Sequence, residues 1–258
     1  MKASLSGNIE KQELENLYLW RYIDSEKLLD FITNNQIHFS RLDQFEDPLE
    51  GLENQARYNL KLHNTTDNEQ LLSFFKLKSK DEIKKWQNGI FASCWFLPSK
   101  DSESLAMWNL YSNKNGFAIK IKLSSLIESY KMAIENLIDK EVIESFYGKV
   151  YYLDYFAVND HANLDSRLLT SMIKSPDYEH EKEFRFIFLR MEREKTIEDR
   201  KSIKLNFDTE LIKNSSIIAH ADMGELTFNL YKKDLFEYGY NLVRSKILTR
   251  TVVNKLLK

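Results

Sequence analysis

The chain has 258 residues, 37 basic against 39 acidic, with a net charge of −2, so no strong global field draws it to nucleic acid or to an anionic membrane. One cysteine, Cys94, excludes an internal disulfide framework, and no apolar run reaches the ~18 residues that a membrane-spanning helix needs. Only 7 Gly and 3 Pro occur, well under the usual shares of about 7% and 5%, so no disordered linker is expected. The opening residues MKASLSGNIEKQELEN lack the apolar stretch of a signal peptide. The expectation is a soluble, cytoplasmic protein.

In chain order, Leu17–Ile23 reads as a first strand, dense in aromatic and aliphatic residues. Asp24 or Ser25 caps a helix that carries Leu28, Leu29, Phe31 and Ile32 and stops at Asn34-Asn35. A short strand over Ile37–Ser40 leads into the loop FEDPLEG, where Pro48 turns Asp47 away from helix. Residues 52–85 read as helical with a break near 64–67. Gly89 introduces a strand at Ile90–Phe96, and a short helix follows at Ser102–Tyr111. Asn115-Gly116 turns into the strand FAIKIK, and Ser124–Ile138 is helical. A strand is expected at Val150–Tyr155, a helix at Asp160–Ile173, and the clearest strand of all at Glu183–Leu189. Strands at Ser202–Asn206 and Ile217–His220 and a helix at Leu226–Tyr238 complete the series. Helices and strands mixed without regular alternation predict an α+β fold. The expectation is a single domain, 1–258, with a mixed, largely antiparallel central sheet flanked by helices. Its motifs fall in about 17–189, and 190–258 completes the same domain.

The unusual polar residues fall in a few short motifs. On the strand EFRFIFL, Phe184, Phe186 and Phe188 share one face; Glu181, Glu183, Arg185 and Ile187 share the other. Two carboxylates and a guanidinium in line form either an ion-pair ladder or a carboxylate held rigidly above a cleft. Arg21 sits in an aliphatic row on the first strand, where a charge needs a carboxylate or an anionic ligand. Asp47 and Glu50 flank a proline turn in an acidic loop, beside Glu46. Ser93 faces with Phe91 and Trp95, and Cys94 faces with Ala92 and Phe96. Trp108 and Tyr111 lie three apart on a helix, as core or as a stacking wall for a planar ring. No zinc-ligand spacing of His and Cys and no glycine-rich nucleotide loop occurs.

Taken together these motifs resemble a widespread bacterial family catalogued as domain of unknown function 2971. The residues that carry the resemblance are Trp20-Arg21-Tyr22, Phe45-Glu46-Asp47-Pro48-Leu49-Glu50-Gly51 and Ala92-Ser93-Cys94-Trp95. They continue with Met107-Trp108-Asn109-Leu110-Tyr111, Gly116, Lys174, Tyr178 and Glu181-Lys182-Glu183-Phe184-Arg185. Glu46 stands where that family has Asn, and Phe184 where it has Trp. The family name implies no activity.

A second resemblance concerns chemistry. Arg on the first strand, Ser on a middle one and Glu on a later one is similar to the layout of mono-ADP-ribosyltransferases. That likeness implies that Arg21 grips NAD, Ser93 supports Glu183, and Glu183 stabilises the oxocarbenium charge on the nicotinamide ribose. It puts Trp108 or Tyr111 near the ring; Asp47, Glu50, Trp108, Tyr111, Lys174, Glu181 and Arg185 are expected to line the same polar cleft and bind the ligand. The expected function is then an NAD-using ADP-ribosyltransferase-like enzyme, acting as a bacterial (phage) defence or toxin effector. NAD would be its substrate, with no metal and no other cofactor. Two alternatives stay open. One is a noncatalytic module binding a nucleotide, another small molecule or a partner; the other is a metal-dependent nuclease using Asp47, Glu50, Glu181 and Glu183.

Overall fold

The computed structural model describes residues 4–5, 14–47, 50–51, 87–137, 142–153, 167–190, 200–208, 210, 213–247 and 252–253. The expected helix at 52–85, Pro48, the last residues of the expected 150–155 strand and the first half of the 160–173 helix lie outside them.

Along the chain come strand β1 (Ser4–Leu5), β2 (Tyr18–Ile23), helix α1 (Ser25–Asn34), β3 (Gln36–Arg41), β4 (Ile90–Phe96), α2 (Leu105–Tyr111) and β5 (Phe117–Lys122). Then follow α3 (Leu123–Leu137), β6 (Val142–Lys149), β7 (Tyr151–Tyr152), α4 (Arg167–Thr170), β8 (Ile173–Lys174) and β9 (Glu183–Arg190). The last are β10 (Ser202–Asn206), β11 (Ser216–Ala219), α5 (Glu225–Glu237) and β12 (Asn241–Arg244). Helices with a mixed, mostly antiparallel sheet make the fold α+β. No described helix is long and apolar enough to cross a membrane.

Local chemistry sets the boundaries. Asp24 caps α1 by accepting from the Lys27 backbone N–H at 2.8 Å, and Asn35 closes it in a left-handed conformation. Ser104 caps α2 in the same way, so this helix starts at Leu105 rather than at Ser102. The expected strand at 150–155 is corrected: the long strand here is β6, eight residues earlier in onset, and only Tyr151 and Tyr152 form a short one after it. The polar residues Glu144, Ser145 and Gly148 hide β6 from a hydrophobicity reading, whereas hydrogen bonding to β9 along its length makes it a strand. β12 carries no such signal either and is held by β11.

The chain packs as two compact units, residues 1–8, 38–94 and 134–204 in one, and 9–37, 95–133 and 205–258 in the other. In the first unit β1 runs parallel to β6, and β6 runs antiparallel to β9. β4 lies beside β9 and pairs antiparallel with β3 through Ser40–Ala92 and Arg41–Phe91. Alternation on β9 gives it two unlike faces. Phe188 stacks on Phe91, with centroids 5.6 Å apart, and tilts against Phe39, while Phe184 and Phe186 meet Tyr147. On the other face Ile187 and Leu189 pack with Leu42, Ile90, Ala92, Phe146, Leu168 and Met172. In the second unit β2 and β5 pair antiparallel from Tyr18–Lys122 to Ile23–Phe117. β5 continues to β11, and β11 to its parallel neighbour β12. Trp20, Tyr22, Phe96, Met107, Trp108, Ala118 and Ile218 form the core cluster there.

Phe188 is fully buried in the first of these faces. Phe188→Ala is therefore expected to destabilise the protein by about 3–5 kcal/mol, read as the shift in urea unfolding; a change within experimental error would show that the Phe39–Phe91–Phe188 contact is not part of the stabilising core.

Candidate functional site: a buried five-residue charge network

The second face of β9 begins with charge. Arg185 is fully buried, and a guanidinium cannot shed its proton to escape that cost. Its Nε donates to Glu183 Oε2 at 2.6 Å, Nη1 to the Ser171 carbonyl at 2.7 Å, and Nη2 to Glu50 Oε1. Lys174, on β8, joins the same group. Its ammonium donates to Glu183 Oε1 at 2.7 Å and to Glu181 Oε2, and it lies 4.5 Å from the centre of the Tyr178 ring. Glu50, Lys174, Glu181, Glu183 and Arg185 are all buried and form one network inside the first unit.

Backbone geometry delivers these side chains. Residues 176–181 form a 3-10 turn opened by Ser175 and Pro176, and Lys182 leaves it with φ +42. This kink lets Glu181 and Glu183 reach Lys174 from two sides. The Glu183 backbone N–H donates to the Tyr152 hydroxyl at 2.7 Å, anchoring the start of β9. Gly51 follows Glu50 with φ +70, and a Cβ there would sit 2.6 Å from Leu42 and 3.2 Å from Ser171 Oγ. Glycine thus lets the Glu50 loop close onto the Ser171 backbone that Arg185 also grips. The Gln87 side chain donates to the Glu50 carbonyl at 3.1 Å and fixes the loop from another direction.

Electrostatics separate the two carboxylates that share Arg185. Burial pushes both upward, but for Glu183 the Arg185 charge, a hydrogen bond with Glu181 and the Lys174 charge outweigh it, holding its pKa well below the usual value. For Glu50 burial wins over Arg185, and the Glu183 charge adds to it, so its pKa rises from 4.5 to about 7. Lys174 and Arg185 are both held firmly charged: burial opposes them, and Glu183 and Glu50 more than compensate. Glu50 Oε2 is buried with no hydrogen-bond partner among the described residues. Cys94, half-buried, feels Glu183, Arg185, Glu50 and Lys174; burial, with Glu183 next, raises its thiol well above the ordinary range. It is a neutral neighbour and not an activated nucleophile.

The residues expected at a site are thus distributed as follows. Glu50, Lys174, Glu181, Glu183 and Arg185 come together, with Asp47 buried in the same loop as Glu50. Ser93 is buried, but it leaves β4 on the face of Phe91, opposite to that of Ala92 and Cys94, which pack on the Ile187 side. Glu183 therefore has Cys94, not Ser93, as its β4 neighbour. Pleat alternation gives the two faces of β4 but not which one Glu183 meets; the pairing of β4 with β9 decides that. Arg21 belongs to the second unit, half-buried, its guanidinium 5.5 Å from the centre of the Trp95 ring. Trp108 is core there: its indole N–H donates to Glu103 at 2.9 Å, and its ring meets Tyr22 and His220 edge-on at 5.0 Å each. Tyr111 is exposed. Glu103, which sequence reading missed for lack of any motif, also accepts from Ser245 Oγ and from the Lys246 N–H at 2.9 Å. Among the described residues no group of three or more His, Cys, Asp and Glu is disposed to hold a metal ion.

Removing Arg185 would leave Glu50 and Glu183 buried without their shared cation. Arg185→Met is expected to cost about 3–5 kcal/mol in urea unfolding; a loss under about 1 kcal/mol, the range of exposed ion pairs, would contradict the burial of the network. The two carboxylates also give opposite pH dependences. Glu183, with a lowered folded pKa, contributes stability above the ordinary carboxylate range and loses it as pH falls through its folded value. Glu50, with a raised folded pKa, favours the folded state below 4.5, and that contribution declines as pH rises towards about 7. Glu50→Gln has no such decline, so its stability relative to the wild type should rise between about pH 5 and about pH 8. A constant difference over that interval would mean that Glu50 does not titrate there.

Comparison with known proteins found no match to a curated protein and none to a solved structure. Residues 107–186 match a family model described as protein of unknown function (DUF2971). That segment holds Trp108, Tyr111, Lys174, Glu181, Glu183 and Arg185; Arg21, Asp47, Glu50 and Ser93 lie outside it. Over residues 107–186, which supply four of the five members of the buried network, the chain carries the signature of the DUF2971 family.

Proposed function

We propose that this chain is a noncatalytic binding module whose recognition element is the buried charge network. One observation carries the reading: both oxygens of Glu183 and both cations are engaged within the network, while Glu50 Oε2 is a buried acceptor with no donor among the described residues. A buried acceptor without a donor costs stability that a matching ligand group recovers. The chemistry favours a ligand that brings an N–H donor to Glu50. It does not favour the pyrophosphate of a dinucleotide, because Lys174 and Arg185 already face three carboxylates.

The glycosyl-transfer reading is kept as the second one on a single observation. Glu183 is held ionised in a nearly water-free setting, the state an oxocarbenium-stabilising carboxylate requires. Against it stand the occupied oxygens of Glu183 and the position of Ser93 on the opposite face of β4. The two readings part in one assay, nicotinamide release from NAD by the purified protein beside its Glu183→Gln variant. The binding module releases none. Release by the wild type that falls by about 10²-fold or more in the variant, the scale of one lost electrostatic group, would replace this proposal with the enzyme.

A further inference from the structure

The network is unbalanced in a defined place. It holds three carboxylates, Glu50, Glu181 and Glu183, against two cations, Lys174 and Arg185. Glu183 is bound on both oxygens and Glu181 is bound by Lys174, whereas among the described residues Glu50 is bound by Arg185 through Oε1 alone. Among the described residues, Glu50 Oε2 is the carboxylate oxygen of the network that is buried with no donor. Resting on the binding-module reading, we propose that the site takes a cationic nitrogen, a protonated amine or a guanidinium-type group, at Glu50 Oε2, and exchanges it for a proton.

The physical case has three parts. A carboxylate buried beside a second carboxylate gains more from a ligand group that adds positive charge than from a neutral donor, since burial and the Glu183 charge both act against its ionisation. A charge-assisted hydrogen bond is also about twice as strong as a neutral one. Finally, the same oxygen is where a proton sits when no cation does. Among the described residues, the groups facing Glu50 are Arg185 and Glu183 from β9, Lys174 from β8 and the neutral Cys94 thiol from β4, with Glu181 beyond Lys174 and Asp47 in Glu50's own loop. Glu183 stays ionised and both cations stay charged. Glu50, raised to about 7, is then the group that exchanges its proton near neutrality. Half-buried Phe45, Cys94 and Tyr151 edge the apolar cluster beside it, and Arg185 lies 5.6 Å from the centre of the Phe45 ring.

The test titrates the full chain with methylguanidinium, methylammonium and neutral acetamide, each followed by NMR shift changes from about pH 5.5 to about pH 8.5. Exchange against one proton makes the apparent affinity for the cations rise about tenfold per pH unit and level off once Glu50 is ionised. In Glu50→Gln that slope should vanish and cation affinity should fall roughly tenfold or more, the scale of a lost charged hydrogen bond. The pH slope is read on the wild type, so the inference stays testable if the variant does not fold. Acetamide binding as well as the cations, without pH dependence, would overturn cation exchange and leave the binding module standing. No binding of any probe at any pH would overturn both.

Discussion

The first unit is organised by one constraint: a guanidinium that stays charged is enclosed where no water reaches it. Arg185 can be accommodated only if its donors find acceptors, and three separate segments supply them: β9 itself through Glu183, the Ser171 backbone and the Glu50 loop. Each carboxylate drawn in carries its own desolvation cost, and Lys174 offsets part of that while bringing in Glu181. Pairing of this kind adds less to net stability than apolar packing of the same volume would. Its effect is on geometry, because each member has one arrangement in which its partners are satisfied.

The second unit solves a milder version of the problem with one carboxylate and neutral donors. Glu103 takes the Trp108 indole N–H, the Ser245 hydroxyl and the Lys246 backbone N–H, tying α2 to the segment after β12. Trp108 is thereby spent on the core, which explains why the Met107-Trp108 motif reads strongly in sequence without supplying an exposed ring. A motif in a family of unknown function can mark a packing solution as readily as a reaction.

Much of the network was legible from residue spacing. Glu183 and Arg185 share a face by strand alternation, the Phe184, Phe186 and Phe188 row fixes the opposite face, and the acidic loop singled out Glu50. Three things were not legible. Whether an aligned row of charges faces solvent or the interior depends on what packs above it, and alternation alone carries no such information; here the row is buried. The choice of Cys94 over Ser93 as the β4 neighbour depends on strand pairing between segments nearly ninety residues apart. β6 was missed because its polar residues break the apolar pattern, although its hydrogen bonds to β9 are continuous apart from one bulge between Val142 and Glu144. Local periodicity records the faces of an element, and long-range pairing records their partners.

The Gln87 hydrogen bond to the Glu50 carbonyl joins two points on either side of residues 52–86. Glu50 and Gln87 are 37 positions apart in sequence, yet this one bond ties the residue before the Gly89 turn to the carbonyl of the residue whose carboxylate holds Arg185. The lead-in to β4 and the grip on the buried guanidinium therefore share a single anchor: a change that loosens Gln87 reaches the charge network without touching a charged side chain.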